Sequence, residues 1–151
     1  MAQTIVETLL ENPLFRTYSF YCSVLVLKMM SMSVLTGLTR VKNKAFANPE
    51  DAKNFNVKVK VNEDVERVRR AHLNDLENIP LFFLISFIYV LTNPSVFLAT
   101  NLFRAYTIAR IVHTIVYAVV VIPQPARGFS FGVGLFITGY MAVQNVLYFL
   151  L

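Results

Sequence analysis

The chain has 151 residues, of which 56% are hydrophobic, and its mean hydropathy is +0.54. These values exceed those of ordinary soluble domains, so the composition favours an integral membrane protein. A net charge of +5 is also found in nucleic-acid-binding proteins. Such proteins carry their basic surface on a soluble domain, and since the sequence contains none, we expect no nucleic-acid partner.

Four segments are long and apolar enough to cross about 30 Å of hydrocarbon, which takes about 20 residues of helix. Helices are predicted at about 13–41, 64–91, 95–122 and 128–150. The connections between the last three are short, which favours an antiparallel bundle. The sequence therefore predicts one all-α domain over 1–151, an integral membrane four-helix bundle surrounded by membrane lipid.

The segment at about 42–63 is predicted to be a cytosolic loop, with a short turn at 48–51. Nine of the fourteen Lys and Arg residues lie between Arg40 and Arg70, whereas no charged residue follows Arg127. The positive-inside rule assigns both basic connections to the cytosol and the two termini to the other side.

The N-terminal segment predicts an uncleaved anchor. Glu7 and Glu11 precede the first apolar run and no basic segment does, so we expect a mature chain that begins at Met1. Cys22 is the single cysteine, which excludes an intramolecular disulfide. With two histidines besides, the sequence offers no recognisable metal site.

The densest polar cluster runs from Asp64 to Asn78. At about 100° per residue, four of its side chains share one helix face: Glu66, Arg70, Asn74 and Glu77. His72 lies on a different face of the same helix. A solvated run of i,i+4 ion pairs accounts for the pattern equally well. However, the cluster continues directly into an apolar run, so its second half reaches the membrane boundary, where polar groups need protein or ligand partners.

Arg110, His113 and Tyr117 follow one another at i, i+3 and i+7 in the third predicted span, so they share a stripe. A guanidinium deep in a membrane bundle needs an anion. Arg110 is therefore expected either to face a polar binding cavity or to pair internally with Glu66 or Glu77. The three together favour the cavity.

Arg127 stands beside the first turn of the fourth predicted helix. A cation there adds to the positive end of the helix dipole and to unpaired backbone N–H groups, which together stabilise a thiolate or a carboxylate. An ordinary positive-inside anchor explains Arg127 as well. Arg40 is open to two interpretations as well, either a functional residue or a flank at the cytosolic end of the first span.

The segment 66–78, ERVRRAHLNDLEN, closely resembles a motif of the membrane-associated proteins of eicosanoid and glutathione metabolism, the MAPEG family. Three shorter segments resemble the family too: FANPED at 46–51, ARIVHT at 109–114, and PQP at 123–125 before Arg127. The resemblance extends from about Leu25 to Leu151. It implies a homotrimer of four-helix subunits in the endoplasmic reticulum or mitochondrial outer membrane.

The resemblance also implies three glutathione sites between neighbouring subunits, on the cytosolic side. The residues implied to hold glutathione are Arg40, Arg70, His72, Asn74, Glu77, Arg110, His113 and Tyr117. Arg127 is the implied catalytic residue, which stabilises the glutathione thiolate. Glutathione would be a co-substrate, conjugated to hydrophobic electrophiles or used to reduce lipid hydroperoxides, with no metal involved.

Three positions favour the glutathione transferase branch of the family over the prostaglandin E synthase branch. The synthase branch has serine directly after the matching arginine, tyrosine three places further on, and arginine between the matching histidine and asparagine. Here these positions are Gly128, Phe131 and Leu73. The stretch from Tyr117 to Arg127 is one residue longer than in either branch, which leaves the placement of Arg127 open. A prostaglandin E synthase and a non-enzymatic membrane adaptor remain the alternatives.

Overall fold

The computed structural model describes residues 5–151; the predicted start of the mature chain at Met1 lies outside them. The helices are α1 (Ile5–Glu11), α2 (Pro13–Asn43), α3 (Pro49–Asn54), α4 (Glu63–Leu91), α5 (Val96–Thr114) and α6 (Ala126–Leu150). A π-helical turn, Ile115–Val119, continues α5. The described part of the chain contains no strand, so the predicted all-α class is confirmed.

Four helices of the described chain are long and apolar enough to span a membrane: α2, α4, α5 with its π turn, and α6. Two details differ from the sequence-based expectation. The connection between the first two spans contains the short helix α3 in place of a turn, because Pro49 starts it and two acids follow in its first turn. The third span ends at Val119, and α6 already begins at Ala126.

Asparagine side chains fix where the first two spans begin. The Oδ1 of Asn12 accepts hydrogen bonds from the backbone N–H groups of Leu14 (2.8 Å) and Phe15 (3.3 Å). Asn62 caps α4 in the same way. Each cap satisfies backbone donors that a helix start leaves unpaired, and acids in the first turn of α4 complement its dipole.

The four spanning helices pack in a ring, in the order α2, α4, α6, α5 and back to α2. Their shared core is aromatic and aliphatic: the Phe82 ring of α4 stacks on Tyr106 of α5, with 3.8 Å between ring centroids. Large apolar side chains such as Phe97 and Phe136 project outward, 79% and 75% exposed. An outward apolar surface around a buried core suits a protein whose solvent is lipid.

Gly134 allows α6 to lie close to α5. A β-carbon at this position would stand 3.4 Å from Cε2 of Tyr106 and 3.6 Å from Cδ of Arg110. Alanine fits at such distances, whereas a longer side chain does not. Small residues at helix contacts are a general feature of membrane bundles, where close backbone approach replaces the hydrophobic driving force.

We expect Gly134→Leu to destabilise the bundle by about 1–3 kcal/mol, because the added side chain overpacks the contact between α5 and α6. The measurement is thermal unfolding of the purified protein in detergent. Gly139→Leu is the matched control, since a β-carbon at this α6 position has no neighbour within 4 Å. Equal unfolding temperatures for the two variants would contradict the close-packing role of Gly134.

Candidate functional site

A buried carboxylate joins three spanning helices beneath the candidate site. Asp75 of α4 is 0% exposed and pairs with Lys28 of α2 through Oδ2. Its other oxygen accepts a 2.6 Å hydrogen bond from Nη2 of Arg110 in α5. Two cations around one carboxylate leave one net positive charge in the bundle, close to the polar end of α4.

Arg110 also fixes a neighbouring amide. Its Nη2 donates a 2.7 Å hydrogen bond to Oδ1 of Asn74. The guanidinium is 1% exposed, so it lies beneath the site, and the partner that the structure gives it is Asp75 rather than Glu66 or Glu77. With its carbonyl oxygen engaged, Asn74 keeps its amide N–H groups as the donors for whatever enters the site.

The first of two pockets, here the α6 pocket, lies where α4, the end of α5 and the start of α6 meet. It measures ≈ 270 Å³ and is lined by Asn74, His113, Tyr117, Gln124, Arg127, Gly128 and Phe131. Cζ of Arg127 stands 4.5 Å from the centroid of the Tyr117 ring, and His113 meets that ring edge-on at 5.5 Å. The predicted stripe of His113 and Tyr117 thus meets the predicted Arg127 in one pocket.

Arg127 lies in the first turn of α6. Oε1 of Gln124 accepts a 3.0 Å hydrogen bond from the backbone N–H of Gly128, and no acidic residue occurs in this turn. Stacking on an aromatic ring holds the planar guanidinium while leaving its edge free to donate. The pocket therefore combines a helix N-terminus with an adjacent cation, which is an arrangement that stabilises an anion.

The second pocket, here the α2 pocket, lies in the groove between α2 and α4 and measures ≈ 290 Å³. It contains two more of the predicted residues, Arg40 and His72, and Arg69 stands beside them, held by a 2.8 Å ion pair to Glu66. Leu73 and Leu76 supply its apolar wall. This pocket and the α6 pocket share no residue, because they flank α4 on different sides.

The two remaining predicted residues lie on the exposed surface of α4. Arg70 forms an ion pair with Glu63 and lies within reach of the Tyr117 hydroxyl, at the rim of the α6 pocket. Glu77 is exposed and lies about two turns further along the helix. Of the nine predicted site residues, four line the α6 pocket, with Arg70 at its rim and Arg110 beneath it. Two line the α2 pocket, and Glu77 lies on the exposed face of α4.

Sequence reasoning did not single out Asp75 or Gln124. A signal for Asp75 exists, because Val68, Ala71, Ile79 and Phe82 are buried at helical spacing and Asp75 falls in the same phase. A carboxylate in the buried phase of a span predicts a cation on another helix. The part of the chain that the structure describes holds no cluster of three His, Cys, Asp or Glu side chains suited to a metal ion.

Comparison with known proteins decides the family. The MAPEG family profile matches residues 18–147, which is most of the chain. The chain belongs to the MAPEG family. The matched residues of this MAPEG protein extend from α2 to the last turn of α6. They therefore include Asp75 with its two cationic partners, and the lining of both pockets.

Two branches of the family occur among the similar proteins. Microsomal glutathione S-transferase 1 of Mus musculus is 46% identical over 92% of this chain and 93% of its own length. The Homo sapiens protein of that name is 43% identical over 89% and 90%. Prostaglandin E synthase of Canis lupus familiaris is 38% identical over 83% of each chain.

Asp75→Asn should destabilise the protein by about 3–5 kcal/mol, because the substitution leaves Lys28 and Arg110 as buried cations without a counter-charge. Denaturant unfolding in detergent measures the effect. Asp64→Asn is the same chemical change at an exposed ion pair with Arg67, where we expect about 1 kcal/mol or less. Similar losses in both variants would show that the buried pairing contributes little.

Proposed function

We propose that this protein is a membrane-bound glutathione transferase that conjugates glutathione to hydrophobic electrophiles. The observation that carries the proposal is the α6 pocket, in which the Arg127 guanidinium, stacked on Tyr117, lies beside the first turn of α6. A thiolate is the anion that such a pocket would stabilise. The similarity to proteins named microsomal glutathione S-transferase supports the same choice.

The charges of the candidate residues match those of the tripeptide. Glutathione has two carboxylates, one ammonium group and a thiol, so its site needs several cationic donors, an acid and a cation near sulfur. Arginine suits carboxylates because its planar fork donates two parallel hydrogen bonds. We assign carboxylate binding to Arg40 and Arg70, with further donors from His72, Asn74, His113 and Tyr117. Glu77 receives the ammonium group, and Arg110 contributes by holding Asn74.

We further propose that the site is completed by a second copy of the chain, in a homotrimer. The α2 pocket and the α6 pocket flank α4, so one subunit alone does not join their residues into a single cavity. In a cyclic trimer every interface pairs one face of a subunit with a different face of its neighbour. Rotation about an axis near α4 would bring the α2 pocket of one subunit against the α6 pocket of the next.

The proposed mechanism begins with the thiol of glutathione. A free thiol has a pKa of about 8.5, so most of it is protonated at neutral pH. The Arg127 guanidinium and the α6 N-terminus favour the charged form and increase the thiolate fraction. The thiolate then attacks an electrophilic carbon of a bilayer-dissolved substrate, forms a carbon–sulfur bond, and displaces the leaving group with its electron pair.

Reduction of lipid hydroperoxides follows from the same nucleophile, and we propose it as a second activity. The thiolate attacks one peroxide oxygen, the O–O bond breaks, and the alcohol leaves after taking up a proton. The sulfenic acid formed on glutathione condenses with a second glutathione to give the disulfide and water. The apolar outer surface of the bundle suits substrates that arrive through the membrane.

We propose the endoplasmic reticulum membrane or the mitochondrial outer membrane as the location, with the connection at 42–63 in the cytosol. Glutathione is then supplied on the side where Arg40 and Arg127 lie. The distribution of Lys and Arg supports this orientation, since both basic connections are at one end of the bundle.

Prostaglandin E synthesis is the second candidate, because relatives with that name are 34–38% identical to this chain. The three positions that distinguish the branches line the pockets: Gly128 and Phe131 in the α6 pocket, and Leu73 in the α2 pocket. None of these side chains has a hydroxyl or a charge, so the hydrogen-bonding groups of the synthase branch are absent from these positions. Efficient isomerisation of an endoperoxide prostaglandin by the purified protein would favour the synthase.

A non-enzymatic adaptor would use the same bundle without thiolate chemistry. Turnover of glutathione with 1-chloro-2,4-dinitrobenzene separates the two possibilities, because an intact oligomer of an adaptor would give none. Equilibrium dialysis with glutathione at millimolar concentration is the companion measurement, and absence of binding by the folded protein would reject the proposed function.

Arg127→Ala should lower the thiolate signal of bound glutathione and reduce turnover by roughly tenfold or more, because one charge-assisted interaction with the thiolate is lost. Ultraviolet absorbance of the thiolate and steady-state kinetics measure the two effects. Arg67→Ala removes an arginine of α4 that pairs with Asp64 and lines neither pocket, so it serves as the control. An unchanged thiolate signal in Arg127→Ala would count against the catalytic role.

Mixed oligomers test whether two chains form each site. Arg40→Ala damages the α2 pocket and Arg127→Ala damages the α6 pocket, so each variant alone should be nearly inactive. When the two are co-expressed in equal amounts, every mixed trimer has one interface with both pockets intact. About a third of wild-type activity should therefore return in the purified mixed trimers.

The same mixture has a clear opposite outcome. If each site belonged to one chain, every chain in the mixture would still carry one damaged pocket, and activity would stay at the level of the separate variants. Purification through two different affinity tags ensures that only mixed oligomers are assayed.

A further inference from the structure

A third polar pocket lies far from the candidate site, on the outer face formed by α2 and α5. It measures ≈ 490 Å³, and its lining includes the guanidinium groups of Arg16 and Arg104, with Tyr21 and Thr100 nearby. Nε of Arg104 donates a 3.2 Å hydrogen bond to the Tyr21 hydroxyl, and Nη1 donates to Oδ1 of Asn101 at 3.3 Å. Two cations therefore converge on one cavity, with neutral groups holding one of them in place.

No ion pair within residues 5–151 includes Arg16 or Arg104. Elsewhere in the bundle, cations at membrane depth have partners, since Lys28 and Arg110 share Asp75. Arg104 lies eight residues after the start of α5, about 12 Å along the helix axis. Its side chain reaches the same pocket as Arg16, near the start of α2, so an anion in this pocket would face two guanidinium groups that no described acid pairs with.

The position of the pocket along the bundle fits the headgroup region of a bilayer. Arg16 and Arg40 are separated by 24 residues of one helix, about 36 Å, which exceeds the roughly 30 Å of hydrocarbon. They therefore lie at opposite membrane surfaces. The Arg16–Arg104 pocket belongs to the leaflet opposite the candidate glutathione site.

An apolar groove continues from this pocket. Its lining of Leu10, Phe15, Ser19, Phe20 and Ser23 also includes Arg16, and its volume is ≈ 370 Å³. Phe20 belongs to both cavities and is 61% exposed. A pair of cations beside a groove with phenylalanine walls calls for an amphiphile with an anionic head and a hydrocarbon chain.

We propose that Arg16 and Arg104 bind the phosphate of a phospholipid, with one acyl chain in the groove along Phe15 and Phe20. Arginine groups between spanning helices at a membrane surface are the usual partners of lipid phosphates. The pocket is lined by residues of α2 and α5, whereas both candidate pockets of the glutathione site include residues of α4.

Native mass spectrometry of the detergent-purified protein with phosphatidic acid tests the proposal. The double variant Arg16→Gln/Arg104→Gln should retain roughly tenfold to thirtyfold less phosphatidic acid than the wild type, since each arginine near a lipid phosphate contributes about a fivefold change. The control removes the same charge elsewhere: Lys58→Gln/Lys60→Gln, in the exposed connection before α4. It should bind as the wild type does.

Two ligand controls separate the contribution of the lipid phosphate to binding from that of the acyl chains. Diacylglycerol with the same acyl chains should not be retained, and millimolar inorganic phosphate should not displace phosphatidic acid. Retention of diacylglycerol would show that the arginines are not the determinant, and displacement by free phosphate would show that the groove contributes nothing. Either result would overturn the lipid site, as would equal retention by the wild type and the double variant.

A measurement on the wild-type chain makes the test independent of variant folding. Phosphatidic acid with a photoreactive group on one acyl chain should label the segment between Leu10 and Ser23, from the end of α1 into α2. Labelling confined to other segments would reject the proposal. Turnover with glutathione should be unchanged in the double variant. Failure of the lipid site and failure of the proposed function are therefore distinguishable.

Discussion

The rest of the bundle depends on the burial of one carboxylate between two cations. Asp75 connects α4 to α2 through Lys28 and to α5 through Arg110, at a depth where water does not compensate an unpaired charge. Apolar packing alone allows spanning helices to slide and rotate, because lipid tails are as apolar as the core. Directional charge pairing defines one register of the three helices, and the polar end of α4 is aligned by it.

The same register organises the candidate site. Asn74 precedes Asp75 in sequence and shares Arg110 with it, so the internal ion pair and the pocket amide are held by one guanidinium. His113 of α5 and Tyr117 of the π turn follow Arg110 along the chain, and Tyr117 in turn stacks against Arg127. Side chains that are connected to one another thus form both the buried ion pairs and the lining of the candidate site.

Much of the architecture was predictable from sequence because a span requires an apolar length that few other structures share. Helical spacing also placed His113 and Tyr117 together correctly, since residues at i and i+4 share a face. Spacing does not tell which neighbour a face meets. The partner of Arg110 was therefore missed, and so was the pairing of Lys28 with a residue 47 positions away. The separation of Arg40 and His72 from Arg127 by α4 is likewise a property of helix order in space.

The π turn at the end of α5 allows the chain between α5 and α6 to differ in length while α5 keeps the orientation of His113. The backbone N–H of Val120 bonds to the carbonyl of Ile115, five residues back, so this turn takes up one residue more than an α-helical turn does. The preceding helix keeps the phase that points His113 inward. An added residue near Tyr117 is absorbed locally, without rotating the helix below or displacing the first turn of α6. A one-residue change in chain length would thus be tolerated at a position next to the candidate site.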